Sequence, residues 1–217
     1  MSLDTTSKAV EVVEEEPFPY KYYETQLVTH IHHFYLSEEI GDPSEYIQMI
    51  HKIRMAGPDE VIFIHLNTSG GVLATGVQII NAMEASQAHI IVSVEAESHS
   101  LGTLIFLAAD EFVVHDNCMM MFHNFSGGVF GKGHEQKSQL EATIEWFETM
   151  ARKKYIPFMS EEEFQSMVDG KDIWMQSEEI RERLTNMVNL IDSDVEEVKT
   201  KPTAKKRVAK RIAKRKS

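Results

Sequence analysis

The stretch V-I-F-I-H-L-N-T-S-G-G at residues 61–71 decides the fold of this chain. Its first six residues are mostly apolar, as expected for a strand that is buried on both faces of a sheet. Gly70 and Gly71 follow, and residues 76–85 then have helical character. Strand, glycine turn and helix in this order form the first half of a βαβ unit.

The same order recurs on both sides of this stretch. Asp42 and Pro43 predict the start of an earlier helix, which Ile47, Ile50 and Ile53 would pack against the core. Further strands are predicted at residues 27–36, 90–94, 111–115 and 119–122, and an apolar helix at 101–109. We therefore predict an α/β fold with a parallel sheet, in which ligand chemistry lies at the carboxyl ends of the strands.

Two helices are predicted after a glycine-rich segment. The first spans about residues 134–156 and has Leu140, Ile144, Phe147 and Ala151 at helical spacing. The second is short and ends near residue 168, and Ser160 with Glu163 would form a capping box at its start.

Charge divides the chain into three segments. The whole chain carries a net charge of −12, but ten of its 22 basic residues lie in residues 199–217, which contain no acidic residue. We predict a mobile acidic arm at 1–17, one domain at 18–198 and a disordered basic tail at 199–217. Only this tail has the charge to bind nucleic acid.

Composition also limits the classes of protein. Cys118 is the only cysteine, which excludes an intrachain disulfide and a cysteine metal cluster. No apolar run reaches the roughly 18 residues of a membrane span, and no signal peptide is visible, so we expect a cytoplasmic protein without a membrane partner. No cofactor is indicated.

Reactive residue types follow three of the predicted strands. Ser100 lies between a strand and a helix, where free N–H groups such as that of Leu101 favour a developing anion. Gly71 offers a second amide on a neighbouring turn, and His123 ends a buried strand as a candidate base. A hydroxyl, a base and two amides together predict a serine hydrolase. Taken singly, Ser100 is also interpretable as a helix cap and His123 as a structural residue.

Two further groups of residues leave alternatives open. An acid that orients the imidazole would complete a triad, and Asp169 and Asp172 in M-V-D-G-K-D-I-W are both candidates. His30, His32 and His33 suggest a metal site, but alternate strand residues point to opposite faces. We therefore interpret these histidines as part of a surface or interface strand and predict no metal site.

Three motifs taken together resemble those of the ClpP family, the proteolytic subunits of the Clp proteases. L-N-T-S-G-G resembles I-N-S-P-G-G of the family, A-E-S-H-S-L-G-T resembles A-A-S-M-G-A, and M-F-H-N-F-S-G-G resembles M-I-H-Q-P-L-G-G. The likeness covers about residues 23–192 and occurs in the family's order. It implies a ClpP/crotonase-like fold of stacked βαβ units with a protruding handle helix, here the helix at 134–156.

The resemblance also implies roles and partners. Ser100 matches the nucleophile, His123 the base and Asp172 the acid, and the amides of Gly71 and Leu101 match the oxyanion donors. The family cleaves unfolded polypeptides inside a heptameric ring, which stacks into a tetradecamer, and an AAA+ unfoldase ATPase delivers the substrate. The chain has no phosphate-binding motif of the G-x-x-x-x-G-K-[ST] type, so we expect any ATP dependence to come from another protein.

The chain departs from the family pattern at three positions near these motifs. His99 replaces a small residue beside the nucleophile, Ser69 replaces a proline, and Lys171 replaces an arginine that helps to join two rings. These substitutions suggest a catalytically silent ring or scaffold protein as one alternative to the serine endopeptidase. A second alternative is a crotonase-like acyl-CoA enzyme, since that related fold also uses paired backbone amides.

Overall fold

The computed structural model describes residues 29–200, with side chains described for residues 29–190. The predicted arm at 1–17 and the basic tail beyond residue 200 lie outside the described residues. So do residues 27 and 28 of the first predicted strand.

One sheet organises the described part of the chain. Its strands are β1 (Ile31–Leu36), β2 (Val61–Thr68), β3 (His89–His99), β4 (Glu111–Val114), β5 (Met119–Phe122) and β6 (Ile173–Gln176). The order across the sheet is β1-β2-β3-β5-β6, and β4 also pairs with β3. All pairings are parallel except that of β5 with β6.

Strand β3 occupies the centre and has two successive partners on one edge. Residues 91–94 of β3 pair with β4, and residues 97–99 pair with β5. Its other edge pairs with β2. As a result, β2, β3 and β5 end near one another at their carboxyl ends, where the motif residues lie.

Helices flank the sheet. They are a 3₁₀ turn at Pro43–Tyr46, α1 (Ile47–Met55), α2 (Leu73–Glu84), α3 (Leu101–Phe106), α4 (Gly133–Tyr155), α5 (Glu161–Val168) and α6 (Ser177–Thr200). Ile62, Ile64 and Leu66 of β2 are fully buried in the core beneath these helices. The alternate residues of β2 are only half-buried, so the second sheet face is more open. No helix within residues 29–200 is long and apolar enough to cross a membrane.

The predicted α/β fold class is confirmed, and the largest differences are at element ends. The predicted strand at 90–94 continues to His99, so the nucleophile motif is an extension of a strand. Ile47 does not pack in the core, because its side chain is 60% exposed. At 100° per residue it lies at the edge of the stripe formed by Ile50 and Ile53, which are buried. The sequence analysis also missed β6 and α6.

Candidate active site

Ser100 lies at the junction of β3 and α3 in a strained backbone conformation. Its φ of 52° makes it the only residue other than glycine with positive φ in the described part of the chain. Such a conformation costs about 1–3 kcal/mol and persists only where the surroundings enforce it. The Ser100 N–H donates to the carbonyl of Met121 at 2.7 Å, which fixes the turn to the neighbouring strand.

Two buried hydroxyl groups form a hydrogen-bonded chain that ends at the carbonyl of Ser100. Thr103 Oγ1 donates to the Ser100 carbonyl at 2.6 Å, and the Tyr155 hydroxyl lies 2.7 Å from Thr103 Oγ1. Both side chains are almost completely buried, and burial raises the pKa of Tyr155, which keeps its proton available for donation. Helix α4, which carries Tyr155, therefore supports the backbone of Ser100.

His123 follows β5 directly and faces the Ser100 hydroxyl. Its Nε2 atom lies 2.6 Å from the Oγ of Ser100, a hydrogen-bonding distance, and its side chain is half-buried. The next residue, Asn124, donates from Nδ2 to the carbonyl of Val168 at 2.8 Å. This bond anchors the loop after His123 to the end of α5. The structure thus brings together the hydroxyl and the imidazole that sequence analysis singled out.

Two glycines allow the turn after β2 to approach Ser100 closely. Gly70 and Gly71 have φ values of 106° and 141°, a region that other residues rarely adopt. A Cβ atom on Gly70 would lie 2.8 Å from the Cβ of Ser100, and one on Gly71 would lie 2.2 Å from the carbonyl oxygen of Ile40. Only glycine fits at both positions.

Gly71 and Leu101 line the same cleft as Ser100 and His123. Leu101 is the first residue of α3, so its N–H has no acceptor inside the helix. Neither amide is a donor among the backbone hydrogen bonds that join the described turns and loops. Two N–H groups without acceptors, on residues that line one cleft with a serine, are candidate donors to an oxyanion.

Neither candidate acid contacts His123 in this structure. Asp169 ends α5 and accepts a hydrogen bond from Gln165 Nε2 at 3.0 Å. Asp172 is exposed, and no hydrogen bond joins it to another described residue. However, Phe122 of β5 pairs with Ile173 of β6 in an antiparallel ladder. Continued by one residue, this register sets His123 opposite Asp172, on the same face of the ladder.

An open cleft of about 490 Å³ surrounds these groups. Its wall is polar and apolar in about equal parts and includes Leu104, Phe125 and Phe147. The ring centroids of Phe125 and Phe147 lie 5.2 Å apart. Sequence analysis placed Phe147 on the apolar face of a helix but did not connect it with the site. It missed Glu39 altogether, because a charged residue in a loop carries no periodic signal.

The histidines of β1 contact residues of neighbouring elements. His32 Nε2 lies 2.8 Å from Glu60 Oε1, and His33 Nδ1 lies 3.0 Å from His65 Nε2. Their alternation between the two faces is as expected from strand geometry. In the described residues, no group of three or more His, Cys, Asp or Glu side chains is arranged to hold a metal ion.

Comparison with protein-family models matches residues 21–183 to the Clp protease family. The chain belongs to the Clp protease family. An uncharacterized protein of Methanocaldococcus jannaschii is 34% identical over 73 residues, which is 34% of this chain and 26% of that protein. The chain thus spans about a quarter of that relative's length. Membership in the Clp protease family agrees with the α/β architecture and with a peptidase of the serine type.

Proposed function

We propose that this Clp protease family member is a serine endopeptidase that cleaves unfolded polypeptides. The observation that carries the proposal is the distance of 2.6 Å between His123 Nε2 and Ser100 Oγ. The unpaired amides of Gly71 and Leu101 in the same cleft add to it. Nucleophile, base and oxyanion donors are the parts that peptide hydrolysis requires.

In the first half of the reaction, the Ser100 hydroxyl donates its proton to the unprotonated Nε2 of His123. The Ser100 oxygen then attacks the carbonyl carbon of the peptide bond. The carbonyl oxygen becomes an oxyanion, which accepts hydrogen bonds from the N–H groups of Gly71 and Leu101. His123 returns the proton to the leaving amine, and an acyl-enzyme on Ser100 remains.

In the second half, water replaces the amine. His123 takes a proton from the water, whose oxygen attacks the acyl carbon, and the same two amides stabilise the second oxyanion. His123 then returns this proton to Ser100 Oγ as the bond between Ser100 Oγ and the acyl carbon breaks, which releases the carboxylic acid product and restores the Ser100 hydroxyl. We assign Asp172 as the acid that accepts a hydrogen bond from His123 Nδ1 and stabilises the imidazolium. The antiparallel register of β5 and β6 supports Asp172 over Asp169. A change of side-chain rotamer at Asp172 would close the contact.

We further propose that the domain at residues 18–198 works in an assembly in the cytoplasm. The first half of α4 is almost entirely exposed, and Leu140 and Ile144 in it are 42% and 38% exposed. Exposed apolar residues on a projecting helix support contact with further copies of the chain, in a heptameric ring or in a stacked pair. An AAA+ unfoldase that supplies unfolded chains is the partner expected of such a ring. Binding of nucleic acid is proposed only for the basic tail.

The acyl-CoA enzyme and the silent scaffold protein differ from the peptidase in whether they bind CoA and in whether they depend on Ser100. A crotonase-like acyl-CoA enzyme also uses paired backbone amides, but it would bind CoA and would not depend on Ser100. A silent ring or scaffold protein would assemble without any reactive serine. The close contact of His123 with Ser100 favours the peptidase, because a base at hydrogen-bonding distance can take the proton of that hydroxyl.

A serine-directed fluorophosphonate probe separates the three functions. We expect covalent labelling of the wild-type protein, loss of the label in Ser100→Ala, and retention in Ser126→Ala, which removes another hydroxyl that lines the cleft. The labelled peptide, mapped by mass spectrometry, should contain Ser100. Absence of label in a folded wild-type protein would refute the peptidase, and CoA binding in that case would favour the acyl-CoA enzyme.

A further inference from the structure

The cleft around Ser100 has a mixed polar and apolar wall that contains one carboxylate. Among the described residues that line the cleft, Glu39 is the only acidic one, and its side chain is exposed. The remaining wall combines apolar residues such as Val72 and Phe125 with the hydroxyl groups of Ser69 and Ser126. A peptide in this cleft would therefore meet both polar and apolar surface and a single carboxylate.

The backbone next to Glu39 is fixed to the oxyanion turn. Ile40 is fully buried, and its N–H donates to the carbonyl of Gly70 at 2.7 Å. The N–H of Val72 donates to the carbonyl of Ile40 at 2.8 Å, so the two segments form a short parallel bridge at Gly71. Glu39 thus lies one residue from a segment that is rigidly attached to a proposed oxyanion donor.

No other described residue neutralises the charge of Glu39. Some carboxylates elsewhere in the molecule do have basic partners: Glu60 pairs with Lys52 at 3.2 Å, and Glu163 pairs with Arg183 at 2.7 Å. Glu39 has no ion-pair or hydrogen-bond partner among the described side chains. Its charge is available to whatever occupies the cleft.

We propose that Glu39 is a specificity-determining residue that favours substrates with a basic side chain close to the scissile bond. This inference rests on the proposed peptidase function. Because Glu39 is solvent-exposed, its attraction for a lysine or arginine is partly screened, and we expect a preference of roughly two- to fivefold. The preference acts during binding, so it should appear mainly in KM and weaken at high salt.

The test uses a set of fluorogenic peptides that differ from one another at one position only. That position is each of the three residues on either side of the cleaved bond in turn, and it carries lysine, glutamine or glutamate. For the wild-type full chain, kcat/KM should be highest with lysine at one or more positions. In Glu39→Gln, the ratio of kcat/KM for the lysine peptide to kcat/KM for the glutamate peptide should be close to one at that position. In Glu39→Lys, the glutamate peptide should have the higher kcat/KM. Glu38→Gln is the matched control, because Glu38 is an adjacent exposed carboxylate outside the cleft lining, and it should keep the wild-type ratio.

Binding of the same peptides to Ser100→Ala, measured by fluorescence anisotropy, separates this inference from the peptidase proposal. A lysine preference in binding that Glu39→Gln abolishes in the Ser100→Ala background supports the inference even if the wild-type protein hydrolyses no peptide. That combination would refute only the peptidase. A ratio that Glu39→Gln leaves unchanged, in hydrolysis and in binding, would overturn the role of Glu39.

Discussion

The backbone N–H of Ser100 donates to the carbonyl of Met121, two residues before His123, at 2.7 Å. This bond ties the end of β3 to β5 and sets the separation of the serine and the histidine through the main chain. Side-chain rotamers then complete the contact of 2.6 Å between Ser100 Oγ and His123 Nε2. The sheet thereby holds both groups before any substrate binds, which is the preorganisation that covalent catalysis needs.

Substitution of the two candidate acids should have very different effects on peptide hydrolysis. Asp172→Asn should lower kcat/KM by up to ~10⁴-fold, because the imidazole loses the group that orients it and stabilises its charge. Asp169→Asn should have little effect, since that side chain bonds Gln165 at the end of α5. Steady-state kinetics on a short peptide measures both. Equal small losses in two folded variants would show that neither residue is the acid, and the reverse ranking would assign the role to Asp169.

Introduction of a Cβ atom at Gly71 should damage both stability and activity. The Cβ would lie 2.2 Å from the Ile40 carbonyl oxygen at a φ of 141°, so the turn must move and carry its amide away from Ser100. We expect Gly71→Ala to lower the free energy of unfolding by more than about 2 kcal/mol and to reduce kcat.

Gly127→Ala is the matched control for this change. An added Cβ at Gly127 meets no atom within 4 Å, and φ at Gly127 is not positive, so we expect a change in unfolding free energy within about 0.5 kcal/mol. Denaturant unfolding measures the free energy of unfolding of Gly71→Ala and Gly127→Ala, and peptide hydrolysis measures their kcat. Wild-type stability and kcat in Gly71→Ala would contradict the tight contact of the two turns.

Charged residues on the exposed part of α4 should weaken assembly. Leu140→Asp and Ile144→Asp place a charge on apolar surface that we assign to contacts between copies, whereas Gln139→Asp alters a polar neighbour on the same helix. Sedimentation velocity should show a ring for the wild-type protein and for Gln139→Asp, and smaller species for the other two. A monodisperse wild-type monomer at micromolar concentration would contradict the proposed ring.

The pair formed by Glu163 and Arg183 predicts a pH dependence of stability. Two hydrogen bonds, of 2.7 and 2.8 Å, join the carboxylate to the guanidinium, and with the Ser160 backbone bond they lower the pKa of Glu163 to about 2. Because the folded-state pKa lies below the unfolded value, the stabilisation is complete above about pH 4.5 and is lost as the pH falls through about 2.

Glu163→Gln should therefore flatten the dependence of unfolding free energy on pH between about 5 and 2. At neutral pH the loss should be about 1–2 kcal/mol, since the pair is partly exposed and therefore screened. Glu162→Gln changes an exposed neighbour on α5 and should leave the pH profile intact. The same slope in wild-type protein and in Glu163→Gln would show that the pair does not stabilise α5 against α6.

The parts of the fold that could be predicted are those with a strong local pattern. The apolar run of β2 and the M-M-M-F segment of β5 predict strands, so the residues that follow them were found without coordinates. The expectation that β2 is buried on both faces was wrong, because only its alternate residues are buried. Strand β6 was missed because it has four residues and pairs only at the edge of the sheet, where alternation is too short to detect. Glu39 was missed because its position depends on the bridge between Ile40 and Gly71, which is a tertiary contact.

Hydrolysis of a short fluorogenic peptide by the wild-type protein, Ser100→Ala and Ser126→Ala tests the central claim most directly. Short peptides need no unfoldase to reach the cleft, so the measurement reports the chemistry of Ser100 alone. We expect turnover by the wild-type protein and by Ser126→Ala, and a loss of at least about 10³-fold in Ser100→Ala at unchanged fold and assembly. Equal turnover by the wild-type protein and Ser100→Ala, or no turnover by the assembled wild-type protein, would contradict the proposal of a serine peptidase.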